Sequence, residues 1–210
     1  GRVLRYYKER GYDILGIDFI EVAVRKLKEV DPELAVEVGD ITNLKYEDNF
    51  FQFVLSFGLY HNLKGTYLEK AVKETYRVLT PGGKVCASFR ADNIQTKLTD
   101  GLAEYRSKKE GTKDPAREFH KMNLTKNEFA ELFERFGFLV EDVYPVVNMP
   151  ILYKFPFFRK REHQHFDENV ARKEGYQLSP IGNIIQNSLM KYFPEQFCNI
   201  NVLIAKKPTD

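Results

Sequence analysis

Two neighbouring stretches decide the fold: FFQFVLSFGLYHNL from Phe50 to Leu63, and ETYRVLTPGGKVCASF from Glu74 to Phe89. The first opens as an apolar run of strand length. The second carries another apolar strand, Lys84 to Phe89, behind a sharp Pro81-Gly82-Gly83 stop. Between them Leu68, Val72, Tyr76 and Leu79 recur at helical spacing. Strand, helix, turn, strand in that order predicts an α/β sheet whose polar strand ends share one edge, where such sheets open a ligand crevice.

Upstream, Tyr12 to Asp18 reads as a strand. Glu21 to Val30 reads as a helix with Ala23, Leu27 and Val30 on one stripe, stopped by Asp31-Pro32, and Leu34 to Val38 as a strand. Such a parallel unit has a right-handed crossover. Arg2 to Arg10 reads as a helix closed by Gly11. Downstream, a short helix is predicted near Lys97 to Lys108, and the KKEGTKDP stretch reads as a lid or linker. Thr125 and Glu128 form a capping box ahead of the stripe Phe129, Leu132, Phe133 and Phe136. Phe138 to Val147 and Asn199 to Lys206 are strands separated by a long segment. Within it, Ser179-Pro180 opens a helix whose apolar face is Ile181, Ile184, Ile185 and Leu189.

With GIDFIE (Gly16 to Glu21) and VGDI (Val38 to Ile41) added, the order and spacing of these motifs resemble the class I S-adenosylmethionine-dependent methyltransferases. Within that family they look most like the broad small-molecule group, methyltransferase type 11-like, that includes ubiquinone and menaquinone biosynthesis enzymes. The resemblance implies a doubly wound, Rossmann-like α/β sheet, mostly parallel with an antiparallel edge strand. Residues 1–147 and 198–210 would form the core, and 148–197 an insert in the place of a substrate cap. It also implies methyl transfer from S-adenosylmethionine to a small-molecule acceptor, leaving S-adenosylhomocysteine. In the family a glycine-rich loop follows the first, central strand. Here its last glycine would be Gly1, a cofactor-binding position, so the expectation is that an N-terminal segment with that strand is missing from this sequence. A second departure is Phe51-Gln52, where the family pattern has Phe-Asp.

Carried over residue by residue, the resemblance assigns Asp18 to the ribose hydroxyls and Asp40 to the adenine amino group, with Phe19 and Ile41 sandwiching the ring. Ser56, Phe57 and Gly58 would lie against the methionine part. Each also has an ordinary reading: Asp18 as a helix N-cap, Asp40 as a turn residue, Phe57 as core. Tyr60-His61-Asn62 stands where the family carries a hydrophobic residue and two histidines. His61 is the candidate catalytic base, against a structural histidine, and Tyr60, Arg90 and His120 are candidate substrate contacts. Glu74 and Arg77 read as scaffold. His163 and His165 lack the neighbours of a metal site and read as a solvated loop, so no metal is assigned.

Composition bounds the rest. At 210 residues and 43% hydrophobic, the chain can bury one substantial core. A net charge of +2 gives no electrostatic reason for nonspecific nucleic-acid binding. No apolar run approaches the roughly 20 residues that span a bilayer, and GRVLRYYKERGY does not read as a secretory leader. Cys86 and Cys198 read as buried thiols of a reducing compartment, hence a cytoplasmic setting. FPFFRKR in the insert mixes aromatic bulk with cations, which suits either a packed edge or peripheral contact with a membrane. Two other functional classes stay open: a non-catalytic methyltransferase-fold binding partner, and a nicotinamide-dependent oxidoreductase, which shares Asp18 but leaves Asp40-Ile41 unexplained.

Overall fold

The computed structural model describes residues 1–109, 121–163, 165 and 174–209. Seven helices and seven strands are used below: α1 (Arg2–Lys8), β1 (Gly16–Asp18), α2 (Glu21–Val30), β2 (Val36–Val38), β3 (Phe51–Ser56), α3 (Thr66–Val78), β4 (Leu79–Ala91), α4 (Ile94–Lys109), β5 (Asn123–Leu124), α5 (Lys126–Glu134), β6 (Leu139–Val146), α6 (Pro180–Tyr192), α7 (Pro194–Phe197) and β7 (Ile200–Lys206).

The strands form two sheets. β1 and β2 pair in parallel, with Asp18 beside Val38. The larger sheet runs β3-β4-β7-β6, with β5 against the end of β4. β3 is parallel to β4, whereas β7 is antiparallel to both β4 and β6. The architecture is therefore the expected α/β one with an antiparallel edge. Among the described residues β1 and β3 belong to different sheets, and each of them pairs on one side only.

Local chemistry explains the elements. Thr125 caps α5, its side chain accepting from the Glu128 amide while Glu128 reaches back to Thr125. The Pro81-Gly82-Gly83 stop lies inside β4, because the register jumps from Phe51 beside Leu79 to Phe53 beside Lys84. Gly82 has φ +78°, and a Cβ on Gly83 would sit 2.8 Å from the Thr80 carbonyl oxygen, so backbone sterics demand both glycines. The main core lies between α3, α5 and the large sheet, built from Leu68, Val72, Val85, Phe89, Phe129, Phe133 and Leu203. A small second core, Leu4, Val24, Leu34 and Val36, holds α1 and α2 on the two short strands.

Two sequence expectations shift. The α2 stripe centres on Val24 and half-buried Leu27, and Val30 is exposed, since two three-residue strands offer little surface to cover. His163 is buried rather than solvated: Tyr153 Oη lies 3.1 Å from its Nδ1, and Glu174 Oε2 lies 3.3 Å from its Nε2. The insert thus has its own polar centre. His165 is exposed. Most of KKEGTKDP lies outside the described residues.

Candidate functional site

Parallel strands deliver their C-terminal ends to one edge, and the candidate residues gather on those ends. Asp18 closes β1, and its Oδ1 accepts from the Ile20 amide at 2.9 Å. The chain leaving β2 is tied to it through Gly39 N–H donating to the Asp18 carbonyl. Two residues past β2, Asp40 Oδ1 accepts from the Thr42 amide and hydroxyl, both at 2.8 Å. Each carboxylate therefore spends one oxygen on its own turn and leaves the other uncommitted among the described residues. The turn reading holds for Asp40, whereas the N-cap of α2 is Ile20 and Asp18 closes only the turn ahead of it; both leave room for a ligand role. Phe19 is 74% exposed beside them, and Ile41 packs against the main core. Gly1 packs against Leu27 and Leu34 at the start of α1.

At the end of β3, Ser56 is buried and Phe57 half-exposed. Gly58 has φ +75°, with open space where a side chain would start, so the chain turns left-handed and bares its backbone. Two residues hold this turn, Asn62 of the Tyr60-His61-Asn62 motif and Ser88, which the sequence reading did not single out. Ser88 Oγ accepts from the Gly58 amide at 3.0 Å, and Asn62 Nδ2 donates to the Gly58 carbonyl at 2.7 Å. The parallel pairing of β3 with β4 was the available signal for Ser88, because Ala87 stands beside Ser56.

Tyr60 turns inward. It is fully buried, with its hydroxyl 2.7 Å from Thr75 Oγ1 and its ring edge-on to Phe133. Burial pushes its phenol up to about 12. It is a core residue, and the substrate contact suggested for it is not available. His61 is half-buried, its ring 6.2 Å from that of Phe89, while its carbonyl accepts from the Met122 amide at 3.0 Å. Burial, then the charges of Lys121 and Arg90, lower its pKa to about 4. It is therefore neutral at pH 7. Arg90 is not a free cation: Nη2 donates to both Asp100 carboxylate oxygens, at 2.8 and 2.9 Å. His120 lies outside the described residues. The structure thus brings Asp18, Phe19, Asp40, Gly58, His61 and Arg90 to strand ends and sends Tyr60 into the core.

Known proteins agree with this architecture. Residues 1–87 match the family model described as a methyltransferase domain. The demethylmenaquinone methyltransferases of Renibacterium salmoninarum and Paenarthrobacter aurescens are 38% and 35% identical over 85 residues, or 40% of this chain. The chain spans about a third of the length of these relatives, 35% and 32% respectively. Among solved structures, a SAM-dependent methyltransferase from Archaeoglobus fulgidus superposes with a TM-score of 0.62 at 17% identity, covering 99% of this chain and 81% of that one. The first 87 residues are thus similar to a methyltransferase domain, and the chain shares its fold with S-adenosylmethionine-dependent methyltransferases.

Proposed function

We propose that this protein transfers a methyl group from S-adenosylmethionine to a small-molecule acceptor, leaving S-adenosylhomocysteine. The observation that carries the reading is the pairing of Asp18 and Asp40 at adjacent parallel strand ends, each with one uncommitted carboxylate oxygen. Those oxygens suit the ribose hydroxyls and the adenine amino group, while exposed Phe19 and the Ile41 side chain suit the ring faces. The open space at Gly58, where no side chain intrudes, suits close approach of the methionine end. When bound, the cofactor supplies a methyl group already activated on a sulfonium. What remains for the protein is alignment, worth up to roughly 7–11 kcal/mol in well-oriented systems.

Neutral His61 accepts a hydrogen bond from a hydroxyl or amine and fixes its direction. A pKa near 4 makes it a weak proton sink, so orientation rather than full proton abstraction is its role in this reading. The insert serves as the acceptor-side cap. Gln95 Nε2 donates to the Met149 carbonyl at 3.3 Å, and Asn93 Nδ2 donates to the Glu195 and Cys198 carbonyls at 2.8 Å. Both ends of the insert are thus tied to the turn after β4. The menaquinone relatives favour a small aromatic or quinone-type acceptor.

A binding platform without catalysis is the second reading, favoured by the break between β1 and β3 beside the cofactor face. Calorimetric titration of the natural full-length protein with S-adenosylmethionine and S-adenosylhomocysteine separates the two. Micromolar binding supports the enzyme, and no binding by a folded sample sinks it in favour of the platform.

A further inference from the structure

Helix α6 has three faces. Its residues advance by about 100° each. Gly182 and Gln186 form the buried stripe, joined by half-buried Leu189. Gly182 lets the helix backbone close on the insert, since a Cβ there would lie 2.7 Å from the Phe158 carbonyl oxygen. Asn183, Asn187 and Lys191 make a polar, exposed stripe. The third face carries Ile181, Ile184, Ile185 and Tyr192, and it is open: Ile181 is 58%, Ile184 67% and Tyr192 67% exposed. The helix therefore docks through a glycine and a glutamine and holds its isoleucines outward, the reverse of an ordinary surface helix.

We propose that this face of α6 lies on a lipid bilayer containing anionic headgroups. At such exposures the isoleucines stand proud of the surface instead of lining a groove, and protruding aliphatic side chains suit a fluid apolar medium. Tyr192 ends the stripe with a ring and a hydroxyl, the combination found at the level of the headgroups. The charge agrees. Residues 148–197 carry seven Lys and Arg against five Asp and Glu. Among the described residues the acids are already engaged: Glu162 with Lys160, Glu174 with His163 and Glu195 with Lys126. Exposed Lys191, on the same helix beside the apolar stripe, is left to face headgroup phosphates. No helix among the described residues is long and apolar enough to cross a membrane, so the contact is peripheral. The surface stands whether or not methyl transfer is the activity.

The test is cosedimentation of the protein with large unilamellar vesicles, of phosphatidylcholine alone or with phosphatidylglycerol as the minor component. The expected result is recovery with the mixed vesicles, weaker recovery with phosphatidylcholine alone, and loss of both in I184S combined with I181S. Lys191→Glu should lower recovery with mixed vesicles only. These side chains are exposed, so the unfolding midpoint should stay at the wild-type value and serve as the folding control. No recovery of the wild type with either vesicle, or unchanged recovery of the double variant, overturns the proposal. Equal recovery with both vesicles overturns the headgroup preference. A wild-type dimer that I184S dissociates in vesicle-free buffer would reassign the face to self-association.

Discussion

Arg77 grips Glu74 with two nitrogens, Nε to Oε1 and Nη2 to Oε2, each at 2.8 Å. The pair then reaches across to the loop after β2. Glu74 Oε2 accepts from the Leu44 amide, while the guanidinium donates to the carbonyls of Leu44 and Tyr46 and to Asp48. This staple fastens the loop carrying Asp40 and Ile41 to α3, so scaffold residues set the position of candidate ligand residues. Arg77→Ala should cost about 2–4 kcal/mol, the range for breaking a part-buried ionic network, read as a lower urea midpoint. Arg77 holds the Glu74 carboxyl below its usual value. Its stabilisation is therefore present above the unfolded carboxylate pKa and lost as pH falls through the folded one. The wild-type and Arg77→Ala curves should accordingly converge in acid; a constant gap down to pH 3 would contradict the staple.

Asp18→Ala should weaken S-adenosylhomocysteine binding about tenfold to a hundredfold, the worth of hydrogen bonds to a charged group. The substitution also removes the acceptor for the Ile20 amide. Asp18→Asn keeps an acceptor for the Ile20 amide but replaces the other, ligand-facing oxygen with an NH2 donor and removes the charge, so it should preserve the unfolding midpoint while still weakening binding. Unchanged affinity in both variants would take Asp18 out of the site.

How much of this was legible follows the reach of each signal. The capping box at Thr125 and Glu128 and the Pro81-Gly82-Gly83 turn are local, and the sequence shows them directly. Asp18 and Asp40 were legible because they fall at the ends of strands whose pattern is strong. Tyr60 and His61 were not separable, since they are neighbours in one short 3-10 turn and only Thr75 and Phe133, distant in sequence, show that Tyr60 is core. His163 was misread because its partners Tyr153 and Glu174 come from different turns of the insert. The isoleucines of α6 were legible as a face but not as an exposed one, because periodicity marks an apolar stripe without saying what covers it.

His61 has its pKa lowered to about 4, by burial first and then by Lys121 and Arg90. A histidine kept neutral by the fold stabilises it fully above the unfolded value near 6.5 and loses that advantage as pH falls towards 4. His61→Gln should therefore flatten the acid limb of stability over that window, leaving stability at pH 8 close to wild type. Turnover should drop by about tenfold, for loss of an orienting hydrogen bond, with cofactor affinity retained. A larger drop, of the order expected for general base catalysis at about a hundredfold or more, would restore the base role.

Tyr60→Phe tests the opposite assignment. It deletes the hydroxyl bonded to Thr75 inside the core, and the expected loss is about 1 kcal/mol. Thr75 Oγ1 still donates to the Ala71 carbonyl, which limits the damage. The Michaelis constant for the acceptor should not move. A raised acceptor constant at unchanged stability would put Tyr60 back in the substrate site.

The free edge of β3 makes the last prediction. Among the described residues β3 pairs on one side only, with β4, and Phe53 on it is 70% exposed. An unpaired edge strand carrying an exposed aromatic residue is a template for another strand, and natural edges are blunted with lysine. The protein should therefore show concentration-dependent association by sedimentation velocity, and Phe53→Lys should shift it to monomer. Phe53 contributes little burial, so the unfolding midpoint of the monomer should stay within about 0.5 kcal/mol of wild type, as for other surface substitutions. A wild type that remains monomeric at every concentration, or a Phe53→Lys variant that associates as strongly as wild type, would contradict the open edge.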